Sequence, residues 1–166
     1  MKIIRFLIGN GDVCYGTPAV AGKANLIRGD IFGNFEITRE VVAIKKLLAP
    51  IVPTLILGTG LNYRRHAIEG NMPIPTYPVL FVKGPNTLQH PGDPIVIPKH
   101  LRSEKVDYEC ELAVIIGKTC KNVTRTEALD YVFGYTAAND ISARDWQLER
   151  GGGQWCRGKF FDTFTP

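Results

Sequence analysis

The amino-acid sequence predicts a mostly β fold with short helices, of the α+β class. Seventeen Gly and eleven Pro among 166 residues are spread along the chain rather than clustered, which implies tight turns and short strands and argues against a helical bundle. The apolar runs are brief and end in charged or turn-forming residues, as at Leu112 to Ile116 between Glu111 and Gly117. Neither a fixed-period repeat nor a sustained heptad is present, which sets solenoids and coiled coils aside. This length allows one sizeable core, or a medium domain with a small appendage, rather than two full domains.

Taken in order, residues 2–8 and 13–17 read as two strands around the turn signal Gly9-Asn-Gly-Asp12, the grammar of a hairpin. Thr38 is placed to cap a helix whose apolar positions Val41, Val42, Ile44, Leu47 and Leu48 approximate one face, with Pro50 and Pro53 as stops. A boundary is expected near residue 50, after a small N-terminal β unit. Strands are then expected at Leu55 to Leu57, Val79 to Val82, Ile95 to Ile97, Tyr108 to Ile116 and Val132 to Ala137. Thr124 and Glu127 have capping-box spacing and predict a short helix, and a second helix is expected from Ser142 through Arg150.

Twenty Lys and Arg against sixteen Asp and Glu give a formal charge of +4. The basic residues are scattered and no basic block is interleaved with aromatics, so nucleic acid is not an expected partner. No apolar run approaches the ~20 residues needed to span a bilayer as a helix, and no membrane association is expected. Arg5 interrupts the apolar N-terminal run, which lacks the unbroken core of a signal peptide. Cys14, Cys110, Cys120 and Cys156 form no CxxC pair and fit reduced thiols in a cytoplasmic chain.

The segment Val106-Asp-Tyr-Glu-Cys-Glu-Leu-Ala-Val-Ile-Ile-Gly117 carries the first candidate chemistry. Alternation along a strand puts Glu109 and Glu111 on one face, and that face turns apolar at Ala113 and Ile115. It is either a solvated outer face or a pair of carboxylates that needs a cation to offset repulsion and desolvation. Asp140 ends an apolar strand just before a helix, a position suited to a ligand or simply to a cap. An all-oxygen set of Glu109, Glu111 and Asp140 would suit Mg²⁺ or Mn²⁺. Zinc is disfavoured, because no His or Cys has partner spacing.

His66 and Glu69 are three residues apart, as a general base and its orienting carboxylate would be on one helical turn, or as a surface ion pair would be. Arg144 and Gln147 share that spacing, so both can point toward whatever Asp140 binds. Lys159, between a Gly-rich stretch and Phe160-Phe161, is either an oxyanion partner or a charged loop residue. Gly151-Gly-Gly153 is not a phosphate loop, since no GxxxxGK[ST] pattern accompanies it.

Together, Gly60-Leu-Asn-Tyr-x-x-His66-x-x-Glu69, Glu109-Cys-Glu111-Leu-Ala and Asn139-Asp140-Ile-Ser-Ala-Arg-Asp-x-Gln147 resemble the fumarylacetoacetate hydrolase family, of the acylpyruvase and fumarylpyruvate hydrolase type. Gly158-Lys159-x-Phe-Asp162 and Pro78-Val-Leu-Phe-Val-Lys83 fit the same pattern. The resemblance covers about residues 55–166. It implies a mixed β-sandwich roll over residues 51–166 as the catalytic domain, preceded by a small β domain at 1–50. It also implies Mg²⁺ or Mn²⁺ on Glu109, Glu111 and Asp140, a His66–Glu69 pair that activates water or moves a proton, Lys159 as oxyanion stabiliser, and Arg144 with Gln147 on the substrate.

The reaction so implied is hydrolysis of a carbon–carbon bond in a small acylpyruvate or diketo acid. The alternative is tautomerisation, isomerisation or decarboxylation of an oxaloacetate-like 2-keto acid. Family members continue past the position of Pro166 with further strands, so a truncated chain is expected, with a non-catalytic binding remnant as a third reading. A small keto acid is the expected ligand, and a homodimer is expected of the full-length form.

Overall fold

A computed structural model describes all 166 residues. The fold is mostly β with few short helices. Its strands are β1 (Ile4–Leu7), β2 (Val13–Pro18), β3 (Lys23–Gly29), β4 (Phe35–Ala43), β5 (Lys46–Leu48), β6 (Ile56–Gly60), β7 (Val79–Lys83), β8 (Val106–Asp107), β9 (Cys110–Ile116), β10 (Val132–Asn139) and β11 (Ser142–Ala143). Helix α1 (Arg64–Glu69) lies between β6 and β7, a π-helical segment covers Asp145–Arg150, and a single turn, α2, covers Cys156–Lys159. No helix is long and apolar enough to cross a membrane.

The chain forms two compact units: Met1–Ile51 with Gln89–Asp93 and Cys110–Asn139, and Val52–Leu88 with Pro94–Glu109 and Asp140–Pro166. In the first, β1 to β5 make one antiparallel sheet in the order β4-β3-β2-β1-β5. The expected hairpin turn is present, with Gly11 at φ +95° and its N–H donating to the Ile8 carbonyl at 3.0 Å. Phe6 and Ala24 are fully buried on this sheet. Segment Gln89–Asp93 is tied in by the Lys46–Asp93 ion pair at 2.6 Å and by the Ala49 N–H donating to His90 Nδ1 at 3.2 Å.

The helix expected after Thr38 is instead β4 and β5. The reason is a bulge: opposite β3, pairing jumps from Asn25↔Val41 to Ile27↔Ile37, so extra β4 residues interrupt the alternation of faces. Thr38 Oγ1 donates to the Leu26 carbonyl at 3.1 Å and its carbonyl accepts from Asn25 Nδ2 at 3.3 Å. The interrupted alternation imitates helical spacing, while the β-branched residues Ile37, Thr38, Val41 and Val42 favour a strand.

Also in this unit, β9 and β10 pair antiparallel, with Ala138 opposite Glu111 and Asn139 opposite Cys110. Along β9, Glu111, Ala113 and Ile115 are half-buried while Leu112, Val114 and Ile116 are exposed, so the carboxylate face is the inner one. Thr124 Oγ1 does meet Glu127 Oε2 at 2.5 Å, but only a 3₁₀ turn, Ala128–Tyr131, follows before β10 begins.

In the second unit, β6 pairs with β7 and β8 with β11, both antiparallel. Its core is Ile141, Ala143 and Phe164, packed by Val106, Trp146 and Phe161. No strand forms at Ile95 to Ile97: Pro94 and Pro98 flank it and offer no N–H to a ladder, and the Val96 N–H goes to Thr163 Oγ1 at 2.8 Å. The C-terminal segment is pinned by the Thr165 N–H to the Thr87 carbonyl at 2.7 Å. Gly158 lets α2 lie against β11 and the π-helical segment, since a methyl there would fall 2.6 Å from the Ala143 carbonyl oxygen and from Gln147 Cβ. Gly158→Ala is accordingly expected to overpack this contact and cost about 1–3 kcal/mol, read as a lower urea midpoint at unchanged m-value.

Candidate active site

The site grows from two residues of the second unit, Glu109 and Asp140. The Asp140 N–H donates to the Glu109 carbonyl at 2.9 Å, which brings the residue before β9 beside the residue after β10. Asp140 is 4% exposed, and a buried carboxylate needs partners for both oxygens. Lys83 Nζ donates to Oδ1 in a very short contact, and Lys159 Nζ donates to Oδ2 at 2.6 Å.

Both ammonium groups are themselves buried, at 2% exposure for Lys83 and 1% for Lys159. Lys159 Nζ also donates to Glu109 Oε2 at 2.7 Å and Ser142 Oγ at 2.6 Å, and it lies 4.9 Å from the Phe81 ring centre. Lys83 Nζ also donates to the Phe164 carbonyl at 2.7 Å. Burial holds the Lys83 ammonium below its ordinary pKa, only partly offset by Asp140.

The other oxygen of Glu109, Oε1, meets Arg144 Nη2 at 2.7 Å. Arg144 in turn donates from Nε and Nη2 to Asp107 Oδ2, at 3.1 and 2.9 Å, and from Nη1 to Gln147 Oε1 at 3.0 Å. Burial alone would raise the Glu109 pKa, but the hydrogen bond and charge of Lys159, followed by those of Arg144, outweigh it and hold this carboxyl below the ordinary range. Burial would likewise lower Arg144, and the bonds to Asp107 and Glu109 reverse this.

The π-helical segment is set by Asp145, which is 2% exposed. Its carboxylate accepts from Ser103 Oγ, from the Glu104 N–H at 3.2 Å and from the Trp146 N–H at 3.0 Å. Against burial, these bonds keep its pKa below the usual carboxylate value. Arg144 precedes and Gln147 lies within the segment, so a single anchored turn presents both. A cavity of this unit, about 640 Å³ and open, is lined by residues of 97–106 and by none of the carboxylates described here.

Carboxylate oxygens of Glu109, Glu111 and Asp140 lie within 4.8 Å of one another. A set of hard oxygen donors with no His or Cys matches Mg²⁺ or Mn²⁺ rather than zinc, so these residues fit a divalent cation. His66 and Glu69 share α1, as the spacing predicts, and both are exposed. No hydrogen bond joins them, and none ties either side chain to the carboxylate cluster.

Residue-level sequence reasoning assigned no role to Lys83, Ser142 or Asp107. A signal for Lys83 was available: on β7 the buried positions are Phe81 and Lys83, one alternation apart, which puts a Lys on the inner face of an apolar strand.

Residues 55–166 match the family model described as fumarylacetoacetate (FAA) hydrolase C-terminal. A fumarylacetoacetate hydrolase domain-containing protein 2 homolog of Dictyostelium discoideum is 47% identical over 137 residues, covering 82% of this chain and 44% of the relative. A protein named as a mitochondrial oxaloacetate tautomerase of Xenopus laevis is 50% identical over 121 residues, covering 72% of this chain and 37% of the relative. The crystal structure of a 5-carboxymethyl-2-hydroxymuconate delta-isomerase from Mycobacterium smegmatis superposes with a TM-score of 0.83 at 34% identity, covering 100% of this chain and 64% of that one. The chain thus spans less than half the length of these two curated relatives.

The depressed pKa values of Glu109 and Asp145 fix the sign of an acid response. A carboxyl lowered on folding contributes stability above its unfolded pKa, near 4, and loses it as pH falls through the folded value. Unfolding free energy from urea titrations is therefore expected to drop below about pH 4. Asp145→Asn should be less stable near neutrality by about 1–3 kcal/mol and show a shallower acid slope.

Proposed function

The chain belongs to the fumarylacetoacetate hydrolase family, whose members are enzymes, and from this premise we propose that it is the metal-binding part of an enzyme that enolises a small 2-keto acid. The observation that carries the reading is the convergence of three carboxylates, with the buried Lys159 ammonium on Glu109 Oε2 and Asp140 Oδ2 and the Arg144 guanidinium on Glu109 Oε1. Glu109, Glu111 and Asp140 would hold Mg²⁺ or Mn²⁺. Such an ion supplies Lewis acidity, drawing charge from a chelated carbonyl and stabilising the enolate.

The chain's own groups do the rest. Arg144 and Gln147, side by side, receive a substrate carboxylate in bidentate fashion. Lys159 offsets negative charge that develops on a second oxygen, where low polarity strengthens its effect. His66 takes the proton from carbon and returns it at the former carbonyl oxygen, with Glu69 on the same turn of α1 as the carboxylate that would orient the imidazole.

Keto–enol tautomerisation or double-bond isomerisation is the first reading, because a relative 50% identical over 121 residues is named for the one and a neighbour at TM-score 0.83 for the other. Hydrolytic carbon–carbon cleavage of an acylpyruvate is the second, favoured by the family match itself; it needs His66 to act on water instead of on carbon.

With Mg²⁺ or Mn²⁺, the chain is expected to accelerate loss of the oxaloacetate enol absorbance over a metal-only blank, without pyruvate accumulating. Glu109→Gln should lower the rate by about 100-fold or more and abolish Mn²⁺ binding by calorimetry. Stoichiometric pyruvate and a second acid from an acylpyruvate would move the assignment to hydrolysis. A folded chain that turns over neither compound and binds no metal would overturn the proposal.

A further inference from the structure

Lys83 takes no part in the chemistry above, yet it is among the most completely buried side chains of the protein. Its ammonium has three N–H donors. They meet Asp140 Oδ1, the Phe164 carbonyl at 2.7 Å and, more loosely, the Ile141 carbonyl at 3.5 Å. Nothing is left over for a ligand.

On the other side of the same carboxylate, Oδ2 and Glu109 Oε2 converge on one cation, the Lys159 ammonium, at 2.6 and 2.7 Å. The two oxygens of Asp140 are thus divided. Oδ1 is consumed inside the protein by Lys83, and Oδ2 is aimed where a positive charge sits between it and Glu109.

We infer that Lys83 is a positioning residue that fixes the rotation of the Asp140 carboxylate and reserves one oxygen for a divalent cation. A buried Lys–Asp pair is not the economical way to fill space, since an apolar pair of similar volume is often as stable or more so. The division of the carboxylate gives it a purpose. Second-layer donors of this kind change metal affinity by about 10- to 100-fold. The inference rests on the metal reading proposed above and adds to it the residue that sets ligand geometry.

Charge and position act in opposite directions here, which makes the role testable. A fixed ammonium repels an incoming dication, so if Lys83 contributed only its charge, its removal would tighten binding. A positioning role predicts the reverse.

The experiment is Mn²⁺ titration of the full chain by calorimetry and by electron paramagnetic resonance, on the wild type, Lys83→Met and Lys83→Gln, with near-ultraviolet circular dichroism to confirm the fold. The expected result is a Kd raised about 10-fold or more in Lys83→Met and a changed zero-field splitting of the bound Mn²⁺. A smaller loss is expected in Lys83→Gln, whose amide can still donate to Oδ1. Binding in the folded variants equal to or tighter than wild type would overturn the inference. Loss of native structure in both would also overturn it, assigning Lys83 to the fold alone. A folded wild type that binds no Mn²⁺ would overturn the metal reading and this inference together, and is told apart by the wild-type titration.

Discussion

The carboxylate of Asp140, buried and held between the ammonium groups of Lys83 and Lys159, is the constraint on which the rest of the second unit is arranged. Burying one carboxylate and two ammonium groups costs several kcal/mol per ion before any attraction is counted. The cost is met only where the remaining lone pairs and protons find partners. Each of these three groups does: Lys83 reaches the backbone at Phe164, Lys159 reaches Glu109 and Ser142, and the Asp140 N–H reaches the Glu109 carbonyl. Those bonds tie β7, β11, α2 and the C-terminal segment to one point. Phe164, whose carbonyl Lys83 holds, is also a fully buried member of the apolar core, so polar anchoring and hydrophobic packing reinforce each other there.

A second polar anchor serves a different end. Asp145 is bonded only to groups that set local structure, Ser103 and two backbone N–H donors, with Arg150 at 3.5 Å beyond them. Its effect is to hold one turn in register. Arg144 then falls within reach of Asp107 and Glu109, with Gln147 beside it. The segment is π-helical, a geometry often found at functional sites because it places side chains where a regular helix would not.

Much of this was legible in the sequence wherever the cause was local. The hairpin at Gly9 to Asp12, the shared face of Glu109 and Glu111, the end of the strand at Asp140 and the common turn of Arg144 and Gln147 all follow from spacing over a few residues. What was not legible depends on distant pairing. The bulge that makes β4 a strand is defined by β3, and it disguised a strand as a helical face. Lys83 finds Asp140 and Phe164 at separations of 57 and 81 residues, and Asp145 finds Ser103 at 42; nothing in the spacing of one segment announces such partners. Lys159 illustrates the middle ground. Its flanking Gly and Phe residues permitted either a loop charge or a buried one, and only the Phe81 ring and the two carboxylates around it decide the matter.

Charge balance links this architecture to the kind of ligand the proposed function requires. Glu109, Glu111, Asp140 and Asp107 bring four negative charges, and Lys83, Lys159 and Arg144, which pair with Glu109, Asp140 and Asp107 directly, bring three positive ones. The cluster is therefore within one charge of neutrality on its own, which lets the fold bury Asp140 and both ammonium groups. On the proposed reading a dication would turn this balance to an excess of positive charge. A 2-keto acid as its enolate carries negative charge on the carboxylate and on the former carbonyl oxygen, and would offset that excess. On that reading metal and substrate would bind more tightly together than either does alone, with the same factor acting in both directions. A neutral ketone of the same shape would leave the excess uncompensated. The discrimination between them would thus lie in the summed charge of seven side chains rather than in any one contact, and it would come from the same ionic pairs that let Asp140 be buried.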